Sequence, residues 1–290
     1  MELGRYLEEQ GISVILASGS PRRTELLSRA GIAHEVVPSG AEENAVKTDP
    51  AGLVEELSAM KAEEVAHRLF GRGQEKAEGA AAGLQKRQRG RASQLTGQAA
   101  GAAAERDGNG FGGLPVTGEA VEKDGNGFGG FVVIGADTVV AKDGKILGKP
   151  KDRAEASAML HLLSGSVHQV YTGVTIIANL GNPGEGPSQE GSRAAVDPAQ
   201  GYRVRTFFER SDVHVAALED DEIEAYIATG EPMDKAGAYG IQGRFGKYIS
   251  RIEGDYYNIV GLPVCRLCSE LKRMLEAKER FSQGSPASAG

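Results

Sequence analysis

The sequence has few cysteines, no long apolar run and no surplus of basic residues, and each shortage argues against a class of protein. Two cysteines in 290 residues exclude a disulfide framework and favour the reducing cytoplasm. No run reaches the roughly 18 apolar residues of a membrane span, and the first ten residues lack the pattern of a signal peptide. A net charge of −7 argues against nucleic-acid binding through bulk electrostatics. We therefore expect a cytoplasmic protein that binds neither membranes nor nucleic acid, although a local cationic pocket for a small polyanion remains compatible.

Glycine, by contrast, is abundant and concentrates where hydrophobic periodicity is weak. The chain has 41 glycines, against a usual share of about 7%. Residues 71–130 and 179–201 are rich in small and polar residues, and the tail at 281–290 is similar. Such segments bury too little apolar surface to offset the entropy of ordering them. We predict two flexible inserts and a disordered tail, which leaves a single domain within residues 1–280.

The first insert contains a direct repeat, in which the sequence of residues 107–113 recurs at residues 124–130. We interpret the repeat as a tandem duplication whose second copy leads into a strand. An EF-hand calcium loop needs an oxygen ligand at position 5 and Glu at position 12. Position 5 is Phe and position 12 is Gly in both copies. The pattern therefore favours a linker over a calcium site.

The remaining residues alternate between strand and helix patterns, which predicts an α/β domain with a mixed sheet. Ser20, Pro21 and Gly31 are suited to the N-cap, the first turn and the end of one helix. Asp143-Gly144 predicts a hairpin turn. The predicted strands are 13–17, 33–38, 132–140, 145–147, 169–178, 203–216, 246–252 and 256–260, and the further helices are 49–70, 152–163, 220–228 and 263–277.

The start of the first of these helices, Ser18-Gly19-Ser20-Pro21-Arg22-Arg23, has the features of an anion site. The free N–H groups and the positive end of a helix attract anions. Ser18 and Ser20 add hydroxyl donors, while Arg22 and Arg23 add donors suited to phosphate. An ordinary capped helix with solvated arginines would explain the same residues.

Two charged residues interrupt apolar patterns. Lys61 shares an i, i+4 stripe with Leu57 and Val65. It therefore needs either an anionic partner in a cleft or a route to solvent at the edge of the helix face. Asp137 interrupts the apolar strand 132–140, where a carboxylate is costly unless it binds a metal or acts as a base.

Three further residues are candidates for the same cleft. Lys149 follows the predicted hairpin and is placed to reach it. Glu42 and Glu43 follow the second strand, and their carboxylates are suitable ligands for Mg²⁺ or Mn²⁺. Ordinary surface acidity is the alternative explanation for both.

Four motifs in this order resemble the Maf nucleotide pyrophosphatases. They are the Ser18 to Arg23 motif, Gly135-Ala136-Asp137-Thr138-Val139-Val140, Gly148-Lys149-Pro150 and Lys235-Ala236-Gly237-Ala238-Tyr239-Gly240-Ile241-Gln242-Gly243. The resemblance covers most of residues 12–271, but the insert before Asp137 is longer than the usual link in that family. It implies an elongated, twisted, mixed sheet flanked by helices in two lobes around a central cleft, related to the inosine triphosphate pyrophosphatases.

The resemblance also implies roles for individual residues. Asp137 would be the general base or metal-organising carboxylate for attack of water on the α-phosphate of a nucleoside triphosphate. Glu43 would join it in holding a divalent cation, either Mg²⁺ or Mn²⁺. Lys61 and Lys149 would assist catalysis, and Ser18, Arg22 and Arg23 would hold the triphosphate. A homodimer is implied as well.

Two positions resemble the branch of the family that acts on dTTP and UTP. These are Thr138 and Gln242, which we predict to contact substrate. A glutamine amide offers one donor and one acceptor group, which suits the edge of uracil or thymine. Removal of non-canonical nucleotides is a further expectation from the resemblance.

Two other hypotheses remain open at this stage. The first is a regulator of cell division or septum formation that acts by binding rather than catalysis. The second is a phosphate-binding module, which would bind triphosphate without releasing monophosphate. The position of Asp137 inside an apolar strand counts against the second.

Overall fold

Seven strands, seven α-helices and several short 3₁₀ helices make up the part of the chain that the computed structural model describes, which is residues 2–69, 130–180 and 202–282. The strands are β1 Ser13–Leu16, β2 Glu35–Val36, β3 Phe131–Lys142, β4 Lys145–Leu147, β5 Val167–Asn179, β6 Arg203–Val215 and β7 Ile249–Glu253. The helices are α1 Leu3–Glu9, α2 Pro21–Arg29, α3 at residues 50–69, α4 Arg153–Leu163, α5 Asp220–Ala228, α6 Tyr256–Val260 and α7 Val264–Ser282. None of these helices combines the length and apolarity needed to cross a membrane.

The strands form one mixed sheet in the order β2-β1-β3-β5-β6-β7, with β4 paired to β3. Strand β1 is parallel to β2 and β3, whereas the other pairs are antiparallel. The predicted α/β class with a mixed sheet is therefore confirmed. The β3–β4 hairpin is also confirmed, since Asp143 and Gly144 have φ angles of 51° and 76° as a type I′ turn requires.

Helix α3 lies unusually close to the middle of the sheet because two glycines leave room for its backbone. A Cβ added to Gly135 on β3 would lie 2.3 Å from the Ser58 carbonyl oxygen, and one added to Gly173 on β5 would lie 2.1 Å from that of Val54. Side chains at these two strand positions would push the helix away from the sheet. The glycines therefore determine how near α3 comes to Asp137, which pairs with Gly173 across the two strands.

The buried face of α3 differs from the predicted stripe. Its fully buried members are Val54, Ser58, Ala62, Val65 and Ala66, each 0% exposed. The i, i+4 stripe through Lys61 also predicts Leu53 and Leu69 on that face. Its central members Leu57 and Val65 are buried at 7% and 0% exposure, but Leu53 is only half-buried and Leu69 is exposed. Lys61 lies beside the most deeply buried positions, because the α3 residues that meet Gly135 and Gly173 are Val54, Ser58 and Ala62.

The core consists of two large hydrophobic clusters. The first joins β1, β3 and β5 to α1, α2 and α7, and includes Leu16, Ile134 and Leu271. The second joins α4 and α5 to the segment after α5, and includes Leu160 and Phe245.

Two predicted strands are wrong in whole or in part. Residues 256–260 form helix α6 instead of a strand, because the Asp255 side chain accepts a hydrogen bond from the Tyr257 N–H and caps a helical turn. Residues 244–248 form a 3₁₀ helix, so that β7 begins only at Ile249. In both places the aromatic and β-branched residues favour a strand. Helix capping and packing against the rest of the fold outweigh this local preference.

The predicted insert boundaries also need correction at their edges. Strand β5 continues through Asn179 and Leu180 is 7% exposed within the first cluster, so the second insert does not begin at 179. Helix α7 continues to Ser282, which shortens the predicted tail. The rest of both predicted inserts, with both Asp-Gly-Asn-Gly copies and the calcium hypothesis, and the rest of the predicted tail lie outside the described residues.

Candidate active site

A cavity of about 820 Å³ opens where α2, α3, β3 and the segment after α5 meet. It contains residues from the first hydrophobic cluster, such as Val260, and from the second, such as Tyr239. Eight of the nine predicted site residues line it: Arg22, Arg23, Glu43, Lys61, Asp137, Thr138, Lys149 and Gln242. The structure thus brings together side chains from six separate parts of the sequence.

Lys61 lies between two carboxylates at the wall formed by α3 and β3. Its Nζ is 2.6 Å from Asp137 Oδ1 and 2.8 Å from Glu43 Oε1. The side chains of Lys61 and Asp137 are 17% and 15% exposed, whereas that of Glu43 is 59% exposed. The hydrogen bond from Lys61 lowers the pKa of Glu43 below its usual range. Lys61 therefore has the anionic partners that its place beside an apolar face requires.

Arg23 is held by three groups from different elements. Its Nη1 donates to Ser18 Oγ at 2.9 Å, its Nε to the Gly261 carbonyl oxygen at 2.8 Å, and its Nη2 to Thr138 Oγ1 at 3.1 Å. Burial lowers the pKa of the guanidinium, and the Asp137 carboxylate opposes this effect. A guanidinium has five N–H groups, so two remain for a ligand in the cavity.

Ser18 supports the start of α2 and does not itself line the cavity. It is 7% exposed, and its Oγ accepts hydrogen bonds from Arg23 and from the Ser20 backbone N–H. Ser20 is the N-cap residue and Pro21 begins the helix, as predicted, but the Ser20 side chain makes no capping bond. Ser20 lines the cavity instead, where its hydroxyl adds to the donors at the positive end of the helix.

Arg22 and Lys149 bring further positive charge to the same cavity. Both are exposed, and neither forms an ion pair within the described part of the chain. Lys149 also contributes to lowering the pKa of Glu43. Since Arg23 likewise has no ion pair with a described carboxylate, three cations are available for an anionic ligand.

The opposite wall holds acidic residues that the sequence patterns did not single out. Glu231 Oε1 accepts a hydrogen bond from the Tyr226 hydroxyl at 2.9 Å, and Oε2 accepts one from the Arg244 backbone N–H at 3.1 Å. The Tyr226 hydroxyl in turn accepts one from the Gly240 N–H at 3.3 Å. A Cβ on Gly243 would lie 1.8 Å from Glu231 Oε1. Glu231 and Tyr226 therefore hold the loop 240–244 that carries Gln242.

Asp234 and Lys235 also line the cavity and form an ion pair with each other. The Lys235 hydrogen bond lowers the pKa of Asp234. Lys235 is the first residue of the motif at residues 235–243, but no sequence pattern marked it as a site residue. Glu231 and Asp234 follow an ordinary helix end, and nothing local separates them from surface acids.

The carboxylates of Glu43 and Asp137 are chemically suited to a hard divalent cation. Each uses one oxygen for Lys61 and retains a second. Mg²⁺ is commonly bound by one or two carboxylates together with substrate phosphates and water. Within the residues that the structure describes, no group of three or more His, Cys, Asp or Glu side chains is placed to hold a metal ion. The donor set therefore fits an ion shared with a phosphate ligand rather than a dedicated protein cage.

Comparisons with known proteins agree with this geometry. Residues 13–274 match the family model described as Maf-like protein. A protein of Agathobacter rectalis named dTTP/UTP pyrophosphatase is 38% identical over 90% of this chain and 97% of its own length. Proteins of the same name from Lachnoclostridium phytofermentans and Bacillus cytotoxicus are 38% and 37% identical, over 90% and 89% of this chain and 94% of their own lengths.

Proposed function

This chain belongs to the Maf family, and we propose that it is a nucleoside triphosphate pyrophosphatase that hydrolyses dTTP and UTP to the nucleoside monophosphate and diphosphate. The observation that carries the proposal is the Lys61 ammonium between Asp137 and Glu43. It lies in a cavity lined by Arg22, Arg23 and Lys149, none of which forms an ion pair with a described carboxylate. The names of the relatives supply the class of substrate.

The cations are arranged to receive a triphosphate. Arg22, Arg23 and Lys149 line the cavity together with the N-terminal end of α2, so that charge and free N–H groups act on the same ligand. Arg23 enters with its orientation already determined by Ser18, Thr138 and Gly261. A donor that does not need to reorganise stabilises developing negative charge more effectively than a mobile one.

Asp137 is the proposed general base. Its Oδ1 accepts a hydrogen bond from Lys61, which leaves Oδ2 to accept a proton from water. The water oxygen attacks the α-phosphorus, and the bond from this phosphorus to the oxygen bridging it to the β-phosphorus breaks. Diphosphate leaves with that bridging oxygen, and Asp137 holds the proton. Arg23 and Lys149 stabilise the charge on the phosphoryl oxygens.

The proposal includes one divalent cation, Mg²⁺ or Mn²⁺, which Glu43 would hold directly and Asp137 would hold through the water whose proton it accepts. When bound, the ion neutralises charge on the phosphate oxygens. Removal of metal with a chelator should abolish turnover, and either ion should restore it. Glu43→Gln should raise the metal concentration that gives half-maximal activity, whereas Glu42→Gln, an exposed neighbour outside the cavity lining, should leave it unchanged. Full activity in a metal-free assay would refute this part.

Gln242 is the proposed contact to the base, because its amide offers a donor and an acceptor to the uracil or thymine edge. Sites that bind a substrate through hydrogen bonds discriminate strongly against analogues that lack them. Gln242→Ala should lower the ratio of dTTP and UTP turnover to that of other triphosphates. An unchanged ratio would remove Gln242 from base selection and leave the rest of the proposal in place.

A panel of canonical and modified nucleoside triphosphates in ¹⁸O-labelled water tests the reaction directly. We expect monophosphate and diphosphate in equal amounts, with the label in the monophosphate, and the highest turnover for dTTP and UTP. Label in the diphosphate, or release of orthophosphate, would contradict attack at the α-phosphorus. The alternative of a regulator of cell division that acts by binding predicts no turnover of any triphosphate, and the relatives' names do not favour it.

A cytoplasmic location and a homodimer belong to the proposal as well. The location is supported by the low number of cysteines, two in 290 residues, which is typical of proteins from a reducing compartment. Light scattering of the purified protein tests the dimer, for which a mass of one chain would be the contrary result.

A further inference from the structure

A line of hydrogen bonds leaves the cavity at Arg23 and crosses the sheet. Arg23 Nη2 lies 3.1 Å from Thr138 Oγ1 on β3. Thr138 Oγ1 lies 2.9 Å from Thr172 Oγ1 on β5, and these two residues are directly paired across the strands. Thr172 Oγ1 then donates to the Asn258 carbonyl oxygen on α6 at 2.8 Å. Thr172 is 0% exposed and does not line the cavity.

The chemistry of the two ends determines the direction of every bond in this line. A carbonyl oxygen only accepts, so the single hydroxyl proton of Thr172 is committed to Asn258. Thr138 must therefore donate its own proton to Thr172, and its oxygen is left to accept. A guanidinium only donates, and Thr138 presents Arg23 with an acceptor alone. Donor and acceptor therefore match at each step from Arg23 to Asn258.

The far end of the line is firmly anchored. Asn258 is 0% exposed, and its Nδ2 donates to the Val170 carbonyl oxygen at 3.0 Å and to Ser211 Oγ at 2.9 Å. The residue Gly261, just beyond the end of α6, supplies the carbonyl oxygen that accepts from Arg23 Nε. Helix α6 thus reaches Arg23 twice, once directly and once through the two threonines.

We propose that Thr172 is a positioning residue for Arg23. By accepting the Thr138 proton, its hydroxyl keeps the Thr138 oxygen available to Arg23 and so holds the guanidinium towards the phosphate groups of the substrate. Thr138 is a positioning residue for Arg23 as well. Its hydroxyl proton is donated to Thr172 and is therefore not available to a phosphate oxygen. The inference deepens the proposed function and rests on it for the identity of the ligand.

The first test compares Thr172→Val with Thr172→Ser. Valine has nearly the shape of threonine without the hydroxyl, so Thr138 loses its acceptor and its proton competes with the Arg23 N–H. We expect kcat/KM for dTTP and UTP to fall about tenfold, the effect of one net hydrogen bond, and the affinity for inorganic pyrophosphate to fall similarly in calorimetry. Thr172→Ser should restore both, since it retains the hydroxyl.

Thr175→Val is the matched control. Thr175 lies on the same strand, is also 0% exposed, and its hydroxyl is hydrogen-bonded to Ser58 and Thr206 rather than to the line from Arg23. We expect a loss of stability but unchanged pyrophosphate affinity. If Thr172→Val and Thr175→Val changed the pyrophosphate affinity equally, Thr172 would be merely structural and the proposal would be wrong.

A double-mutant cycle separates action through Arg23 from any other route. In an Arg23→Lys background, Thr172→Val should lower kcat/KM and pyrophosphate affinity little further. Lysine has no second nitrogen to donate to Thr138, so the Thr138 oxygen no longer affects the phosphate-binding side chain. Equal losses in both backgrounds would overturn the proposal. If Thr172→Val does not fold, Thr172→Ala carries the same cycle, because it also removes the hydroxyl that accepts the Thr138 proton.

The outcomes also separate this inference from the proposed function. A wild-type protein that cleaves no triphosphate would refute the proposed function, yet pyrophosphate affinity would still test the role of Thr172. An active wild type whose Thr172→Val variant retains full kcat/KM and full pyrophosphate affinity would refute the inference alone.

Discussion

Lys61 Nζ lies 2.6 Å from Asp137 Oδ1, although the two residues are 76 positions apart in the chain. One belongs to helix α3 and the other to the central strand β3. Their distance depends on Gly135 and Gly173, which let the helix backbone touch the sheet. The ion pair at the proposed catalytic centre is thus a consequence of backbone packing as much as of charge.

Asp137→Asn tests the proposed base. Asparagine has the same shape but does not accept a proton from water at neutral pH, so turnover should fall by about 10²- to 10⁴-fold while the protein stays folded. The measurement is pyrophosphate release with saturating dTTP. Asp143→Asn is the control, since Asp143 lies in the exposed hairpin turn at the end of the same strand. Wild-type turnover in Asp137→Asn would exclude Asp137 as the base.

Gly135→Ala tests the close approach of α3. The added Cβ would meet the Ser58 carbonyl oxygen at 2.3 Å and the Ala62 nitrogen at 2.8 Å, and neither backbone atom moves without the helix. We expect a loss of about 1–3 kcal/mol in the free energy of unfolding, measured by urea titration, and lower turnover because Lys61 moves away from Asp137. Gly40→Ala, where a Cβ meets nothing within 4 Å, should change neither.

Tyr226→Phe tests whether the Glu231–Tyr226 pair positions the loop that carries Gln242. The substitution removes the hydroxyl that joins Glu231 to the Gly240 N–H. We expect KM for dTTP and UTP to rise by up to about tenfold with little change in pyrophosphate affinity, because the phosphate-binding residues lie elsewhere. Tyr248→Phe, in the same hydrophobic cluster, is the control. Equal weakening of nucleotide and pyrophosphate binding would contradict a role limited to the loop.

His168 should make stability depend on pH. It is 0% exposed, its Nε2 is hydrogen-bonded to the Tyr239 hydroxyl, and its Nδ1 has no hydrogen-bond partner within the described residues. Burial lowers its pKa from 6.5 to about 4. Above pH 6.5 the ring is neutral in both folded and unfolded chains, and stability is unaffected. Between pH 6.5 and about 4 only the unfolded chain binds the proton. The free energy of unfolding therefore decreases as the pH is lowered through this range, by about 3 kcal/mol in total.

Urea unfolding at several pH values between 7 and 4.5 measures this effect. His168→Gln removes the titrating ring and retains a hydrogen-bonding group for Tyr239, so the variant should lose stability less steeply as the pH falls. His67→Gln replaces an exposed histidine on α3 and should leave the pH dependence unchanged. The same slope in wild type and His168→Gln would show that His168 does not cause it.

Elements with strong local signals were predictable from the sequence. Helix α5 and the Asp143-Gly144 hairpin were predicted at their observed positions, because capping residues and turn residues act within a few positions of themselves. Helix α6 was mistaken for a strand, because its aromatic and β-branched residues favour a strand and the packing of its buried Asn258 lies far away in sequence. The local preference for helix or strand determines the secondary structure only where contacts with distant residues do not oppose it.

The candidate site divides in the same way. The sequence by itself determined which residues are chemically out of place, since a lysine beside an apolar helix face and an aspartate in an apolar strand need partners wherever they fold. The tertiary structure decided which residues these partners are. Lys61 forms ion pairs with Glu43 and Asp137, and Arg23 donates hydrogen bonds to Thr138 and Gly261. It also added Glu231 and Thr172, which no local pattern marks. Hydrogen bonds and ion pairs require atoms within about 3 Å, and only strand register and helix packing bring segments so distant in sequence to that separation.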